Sequence, residues 1–186
     1  MKFLLTLSIF ILAAGSAVAQ SKYYTKAGKI TFFSKSSLEN IEAINNKMVS
    51  VWDVATGQIE FAVLMKGFEF ERALMQEHFN ENYVESDKYP KAIFKGAIEN
   101  STVISLTGDN TFTLKVNGSL TMHGVTNLVN TTAVISVKSG VISASCNFTI
   151  ALDDYKISVP AVVADKINKR IIIAVSIPAY LVMPSK

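Results

Sequence analysis

Two histidines, one cysteine and a pair of adjacent aspartates are the residues of this 186-residue sequence whose types invite chemistry. His78 and Glu81 stand three apart and share a face if the segment is helical, so an imidazole and a carboxylate could be offered to one metal ion. Two ligands are too few for such a site, and the HExxH pattern is absent. A histidine on a helix surface or at an interface is the favoured reading. His123 sits in Thr121-Met122-His123-Gly124, either as a turn residue whose ring bonds the backbone or as a polar group available to a ligand. Cys146 falls between Ala144 and Phe148 in an alternating run, which suits a small buried hydrophobe better than a reactive thiol. Asp153-Asp154-Tyr155-Lys156 pairs carboxylates but matches no calcium loop, and reads as a turn with solvated charge. There is no G-x-S-x-G elbow and no GxGxxG or GxxxxGK[ST] phosphate cradle. No catalytic residue, cofactor or metal is assigned.

The elements that would position these residues are strands. Ile59, Phe61, Val63 and Met65 alternate with Gln58, Glu60, Ala62 and Leu64. Phe112, Leu114 and Val116 alternate with Thr111, Thr113 and Lys115, and Ala144, Cys146, Phe148 and Ile150 with Ser143, Ser145, Asn147 and Thr149. A period of two with one apolar side describes strands with one buried and one wet face, as in antiparallel sheet. Less regular candidates cover 29–34, 47–54, 92–98, 131–138 and 170–177. Turn signals at Thr56-Gly57, Gly108-Asp109-Asn110 and Ser139-Gly140 separate them. About eight short strands at near-even spacing favour a barrel or sandwich. Two segments depart from this period. Residues 71–80 place Leu74, Met75, His78 and Phe79 at helical spacing, and 37–45 place Leu38, Ile41 and Ile44 three apart behind Ser37 as an N-cap. Both are expected to be short helices. Asn100, Asn117, Asn130 and Asn147 begin N-x-[ST] triplets, read here as wet-face strand residues in a chain rich in Asn, Ser and Thr.

The N-terminus reads as an address. Lys2 precedes an uncharged apolar run over 3–14, then the small-x-small triplet Ala17-Val18-Ala19. This is the pattern of a cleavable signal peptide over 1–19, with the mature chain beginning at Gln20. The run is shorter than the roughly 20 residues that cross a bilayer, so a retained anchor is disfavoured, and no Cys follows the cleavage site for lipid attachment. The remaining 20–186 suit one domain with a single core. Export and an oxidising compartment are consistent with a lone cysteine, which cannot form an internal disulfide. The formal charge of +3 is small and scattered, without the basic stripe that nucleic acid demands. Nothing in the sequence signals an oligomeric state.

Two segments carry a family resemblance: HFNENYVESDKYPKAIFKG over 78–96 and GSLTMHGVT over 118–126. Both resemble signature segments of the YceI-like family, especially its exported bacterial members, and the similarity extends over roughly 22–178. The resemblance implies an all-β fold, an antiparallel eight-stranded lipocalin-like barrel with one or two short helices capping an end. It also implies a long isoprenoid lipid held inside, in a protein of the periplasm or the secreted space that is not an integral membrane protein once cleaved. Lys156 departs from the family pattern, in which Gly commonly follows the Tyr of this loop; that bears on the local turn and not on the fold.

Barrel interiors of this size either fill themselves or hold one small ligand. The expected apolar wall is Phe61, Val63, Phe94, Phe112, Leu114, Val116, Leu120, Phe148 and Ile150, with Ala133 and Ala144 (and the glycines Gly96 and Gly118) leaving room between. His123 is a candidate head-group contact at the rim. A non-catalytic lipid carrier is the leading expectation. The alternatives are a lipid-acting hydrolase or isomerase that uses a pocket histidine with a carboxylate partner, and a structural or interaction β-domain with a filled core.

Overall fold

The computed structural model describes residues 22–184; the signal-peptide segment lies outside the described residues. Nine strands occur in chain order: β1 (Lys22–Lys35), β2 (Asn40–Asp53), β3 (Gln58–Leu64), β4 (Glu69–Phe70), β5 (Lys91–Ile98), β6 (Asn110–Met122), β7 (Val125–Lys138), β8 (Val141–Ala151) and β9 (Arg170–Val182). Around the sheet the order is β1-β9-β8-β7-β6-β5-β3-β2, and β1 also pairs with β2. The ring is therefore closed, with eight antiparallel strands. The two-residue β4 pairs with β2 at Ala43 and Ile44, beyond the end of β3.

Register explains why one face is apolar all the way round. Phe61 stands opposite Phe94, Phe94 opposite Leu120, Ile135 opposite Ala144, Cys146 opposite Val175, Ile173 opposite Phe32, and Phe32 opposite Ala43. Side chains in direct register share a face, so these residues all point inward. The exposed set, such as Thr113, Lys115 and Glu60, occupies the alternate positions.

One expected helix is present and one is not. Helix α1 (Ala73–His78) continues into a wide π turn, Phe79–Tyr83. The segment 37–45 is instead a tight turn followed by β2. The Ser36 hydroxyl accepts the Leu38 and Glu39 amides at 3.3 and 3.0 Å, and Asn40 already pairs with Lys35. Leu38, the first residue of the supposed helical stripe, is 67% exposed. The competing alternation Ile41, Ala43, Asn45 decided the outcome, because a whole length of β1 was available to pair with it.

Antiparallel topology sorts the connections to two ends. At one lie the β1–β2 turn, the β3–β5 connection with β4 and α1, the β6–β7 turn and the long β8–β9 connection. At the other lie the β2–β3, β5–β6 and β7–β8 connections. The β6–β7 turn is the two-residue His123-Gly124, both with positive φ, +52° and +73°. That is the backbone of a type I′ hairpin turn, which matches the strand twist and favours glycine.

Candidate functional site

The barrel encloses a cavity of about 430 Å³, within the roughly 300–1,000 Å³ of small-molecule sites. At the α1 end the lining includes exposed or half-exposed residues: Glu39, Arg72, Leu74, Met75 and His78, with Val163, Lys166 and Ile167 from the β8–β9 connection. This is the mouth. Glu39 and Arg72 form an ion pair there, joining the β1–β2 turn to the segment that leads into α1. At the opposite end the lining is closed by Trp52, Ile177 and Tyr180, which are 0%, 2% and 6% exposed.

Of the wall residues expected from sequence, Phe61, Val63, Phe94, Val116, Leu120, Ala133, Ala144, Phe148 and Ile150 line the cavity. Phe112 and Leu114 do not, which corrects their expected place. They have the inward register, opposite Ile135 and Ala133, but the β5–β6 ladder ends at Ile98 opposite Val116. Their stretch of β6 runs past that end, and the two side chains pack half-buried in the apolar cluster that also contains Ile104 and Leu106 of the β5–β6 connection.

The two inward glycines work differently from bare gaps. A Cβ on Gly96 would lie 2.7 Å from Phe94 Cζ, and one on Gly118 would lie 2.5 Å from it. The Phe94 ring therefore lies flat across both glycines, against the wall. Without them it would be pushed toward the hollow. The Phe61 ring lies beside it, tilted by 32°, with ring centroids 5.5 Å apart.

His123 is not part of the lining, which corrects the head-group expectation. Its Nδ1 donates to the Tyr155 carbonyl at 2.8 Å. The Tyr89 ring meets it edge-on, centroids 4.8 Å apart, and Glu85 Oε2 is 3.9 Å from its Nε2. Gly124 leaves the room that Tyr89 uses, since a Cβ there would be 2.7 Å from Tyr89 Cε1. The two signature segments thus meet each other: Tyr89 from one, His123 and Gly124 from the other. Together they clasp the β6–β7 turn to the short turn Asp153–Tyr155. Lys156 closes that turn with φ +57°, the left-handed conformation in which glycine costs least.

His78, by contrast, does line the mouth. It has no hydrogen bond or ion pair to a carboxylate among the described residues. Cys146 lines the cavity, and burial pushes its thiol up to about 11, so at neutral pH it is a protonated, unreactive wall group. Asp153 pairs with Lys169 at 3.2 Å on the surface. Among the described residues no group of three or more His, Cys, Asp or Glu side chains is placed to hold a metal ion.

Sequence reasoning missed an aromatic cluster near the mouth. Phe32 and Phe79 each lie with ring centroids 5.0–5.7 Å from those of Phe68 and Phe70, and 5.4 Å from each other, and all four line the cavity. They come from β1, the β3–β5 connection and the π turn, so no single periodic run announced them. Trp52 and Tyr180 were missed as well, although Met48, Ser50 and Trp52 alternate in the sequence.

Comparison with known proteins agrees with this geometry. The model of the YceI-like domain matches residues 18–179. A polyisoprenoid binding domain from Saccharophagus degradans implicated in plant cell wall breakdown superposes with a TM-score of 0.76 at 12% identity, over 88% of this chain and 99% of that one. BcnA from Burkholderia cenocepacia gives 0.66 at 15% identity, covering 80% and 94%. The YCEI protein of Campylobacter jejuni gives 0.53 at 17%, covering 77% and 85%. No curated protein sequence matches the chain. At these identities the solved structures show a shared fold.

Proposed function

The chain belongs to the YceI-like family, and from that premise we propose that it is an exported binding protein that carries or sequesters a long apolar, polyisoprenoid-like lipid in its barrel. One observation carries this reading: the interior is a continuous apolar cavity that opens at the α1 end and is closed at the other. The similarity of its fold to a domain described as polyisoprenoid binding supports the choice of lipid.

The physical sufficiency of such a site is simple to argue. Each buried methylene contributes about 0.8 kcal/mol, so a dozen supply roughly 10 kcal/mol before the costs of association. Half of that still leaves affinity near the micromolar range or somewhat weaker. No directional chemistry is needed along the wall, and wall residues such as Phe61, Val63, Phe148 and Ile150 offer none. The signal-like N-terminus supports export, to the periplasm or beyond it.

The test is to express the full chain with its own N-terminus, purify it from the export compartment, extract it with organic solvent and identify the extract by mass spectrometry. A stoichiometric isoprenoid is the expected result. Repeated recovery of protein without any isoprenoid or fatty species overturns the reading, and recovery from the cytoplasm with residues 1–19 intact overturns the export half of it.

A further inference from the structure

The β7–β8 ladder stops partway along the wall. It runs from Lys138 opposite Val141 to Ala133 opposite Cys146. Beyond that point each strand keeps its other neighbour: β7 stays paired with β6 as far as Val125, and β8 with β9 as far as Ala151. The two strands therefore part from each other without leaving the barrel. In antiparallel sheet alternate residues aim both of their peptide groups at the same neighbour. Met122 and Val125 flank the two-residue turn and pair with each other, so Leu128, Asn130 and Thr132 aim theirs at β8. Continued register would set them opposite Ala151, Thr149 and Asn147, and no ladder forms there.

Side chains frame this gap at its two ends. The Thr131 hydroxyl donates to the Asn147 carbonyl at 2.7 Å, and Asn127 Nδ2 donates to the Asp154 carbonyl at 2.7 Å. The stretch of β7 between those two bonds spans about 13 Å at strand rise. A cleft of about 330 Å³ occupies it, with Asn130, Thr149 and Asp154 on its outer side. Its inner boundary is Val129, Phe148 and Ile150, and the same three side chains line the barrel cavity. Leu128, on the outer lip, is 83% exposed. The wall here is one layer of side chains with no peptide ladder through it.

Crossing a paired stretch of wall breaks backbone hydrogen bonds, which are expensive to leave unmade beside an apolar interior. Crossing this stretch takes new rotamers of Val129, Phe148 and Ile150, and rotamer changes are faster than strand separation. The size of the hollow gives such a crossing a use. A methylene takes about the volume of a water molecule, roughly 30 Å³, so 430 Å³ holds about 14 of them. A longer guest has to leave part of its chain outside. Resting on the lipid-carrier reading, we infer that the β7–β8 gap is a side portal: the apolar chain of the guest crosses the barrel wall between Val129 on one strand and Phe148 and Ile150 on the other, and meets Leu128 outside.

The experiment places Asn130→Cys and Thr149→Cys in the full chain with Cys146→Ala, strips it of lipid, and joins the two thiols outside the cleft with a bis-thiosulfonate linker that reductant removes. Stopped flow follows uptake and release of an environment-sensitive naphthylamine dye. Bridging is expected to slow both rates at least about fivefold while Kd stays within about twofold, because a gate changes the barrier and not the end states. Reductant should restore both rates. The same bridge between Thr113→Cys and Val134→Cys, opposite each other on the intact β6–β7 ladder, should leave both rates in place. A second measurement needs no variant. In hydrogen exchange the amides of Leu128, Asn130 and Thr132 should exchange at least about a hundredfold faster than those of Val134 and Ser136, which meet β8 across the ladder. Unchanged rates in the bridged protein, or equal protection at 128–132 and 134–136, overturn this inference while the carrier reading stands. If the wild-type protein takes up no dye, the carrier reading falls and takes the inference with it.

Discussion

Cys146 shows how a single side chain records the nature of the interior. Its neighbours across the ladders are Ala133 and Val175, and burial disfavours its thiolate, raising its pKa to about 11 from 9.0. The folded chain thus holds a proton that the unfolded chain releases first. With more protons bound to the folded state, stability falls as pH rises from 9 and keeps falling until about 11. Tyr180, also raised by burial, adds a loss in the same direction at the upper end of that range. Urea denaturation midpoints across pH 8 to 11 should show this decline, and Cys146→Ala should flatten its lower part by roughly 2 kcal/mol. An unchanged decline in the variant would place the alkaline loss elsewhere. The alternation around Ala144 and Phe148 already put this cysteine inward. That it lines an open cavity followed from no local pattern.

Between strands, the controlling device is the pair of glycines facing each other on β5 and β6. Gly96 and Gly118 are in direct register, and the Phe94 ring occupies the space their side chains would take. Small residues were legible in the sequence as places where the wall is thin. Their use was not, because it depends on a ring from two residues away folding back across both strands. A methyl on Gly118 would meet Phe94 Cζ and the Lys95 carbonyl oxygen, each at 2.5 Å. Gly118→Ala is therefore expected to destabilise the barrel by about 1–3 kcal/mol in chemical denaturation. Adding Phe94→Leu should recover only part of that, since the backbone oxygen remains in the way. Full recovery would show that the ring alone sets the constraint. The same scale accounts for the misread segment at 37–45: an i, i+3 stripe and a period of two coexist there, and the partner strand β1 chose between them.

For the molecule as a whole, the decisive property is that the ring closes around more volume than its side chains fill. Ala133 lines that volume and Phe112 does not, although both are inward by register and lie on adjacent strands. Ala133→Trp should therefore weaken uptake of an apolar dye by tenfold or more, whereas Phe112→Trp should leave it within about twofold, with both variants retaining the wild-type β-sheet circular dichroism. Equal losses in the two would mean that the dye reads general destabilisation and not occupancy of the hollow.

The order of apolar and polar residues determined, by itself, that the chain makes antiparallel strands with one wet face, and its two signature segments pointed to the family. Strand period is a local property, written in neighbours two apart. The tertiary structure decided what the inward face encloses: that Phe112 and Leu114 fall beyond the end of β5, that His123 clasps a turn, and that four phenylalanines gather by the mouth from separate elements. It also decided that Trp52, Ile177 and Tyr180 close the end opposite the mouth. These depend on where ladders stop and which distant segments meet, and those distances arise only when eight strands are bent into one closed ring.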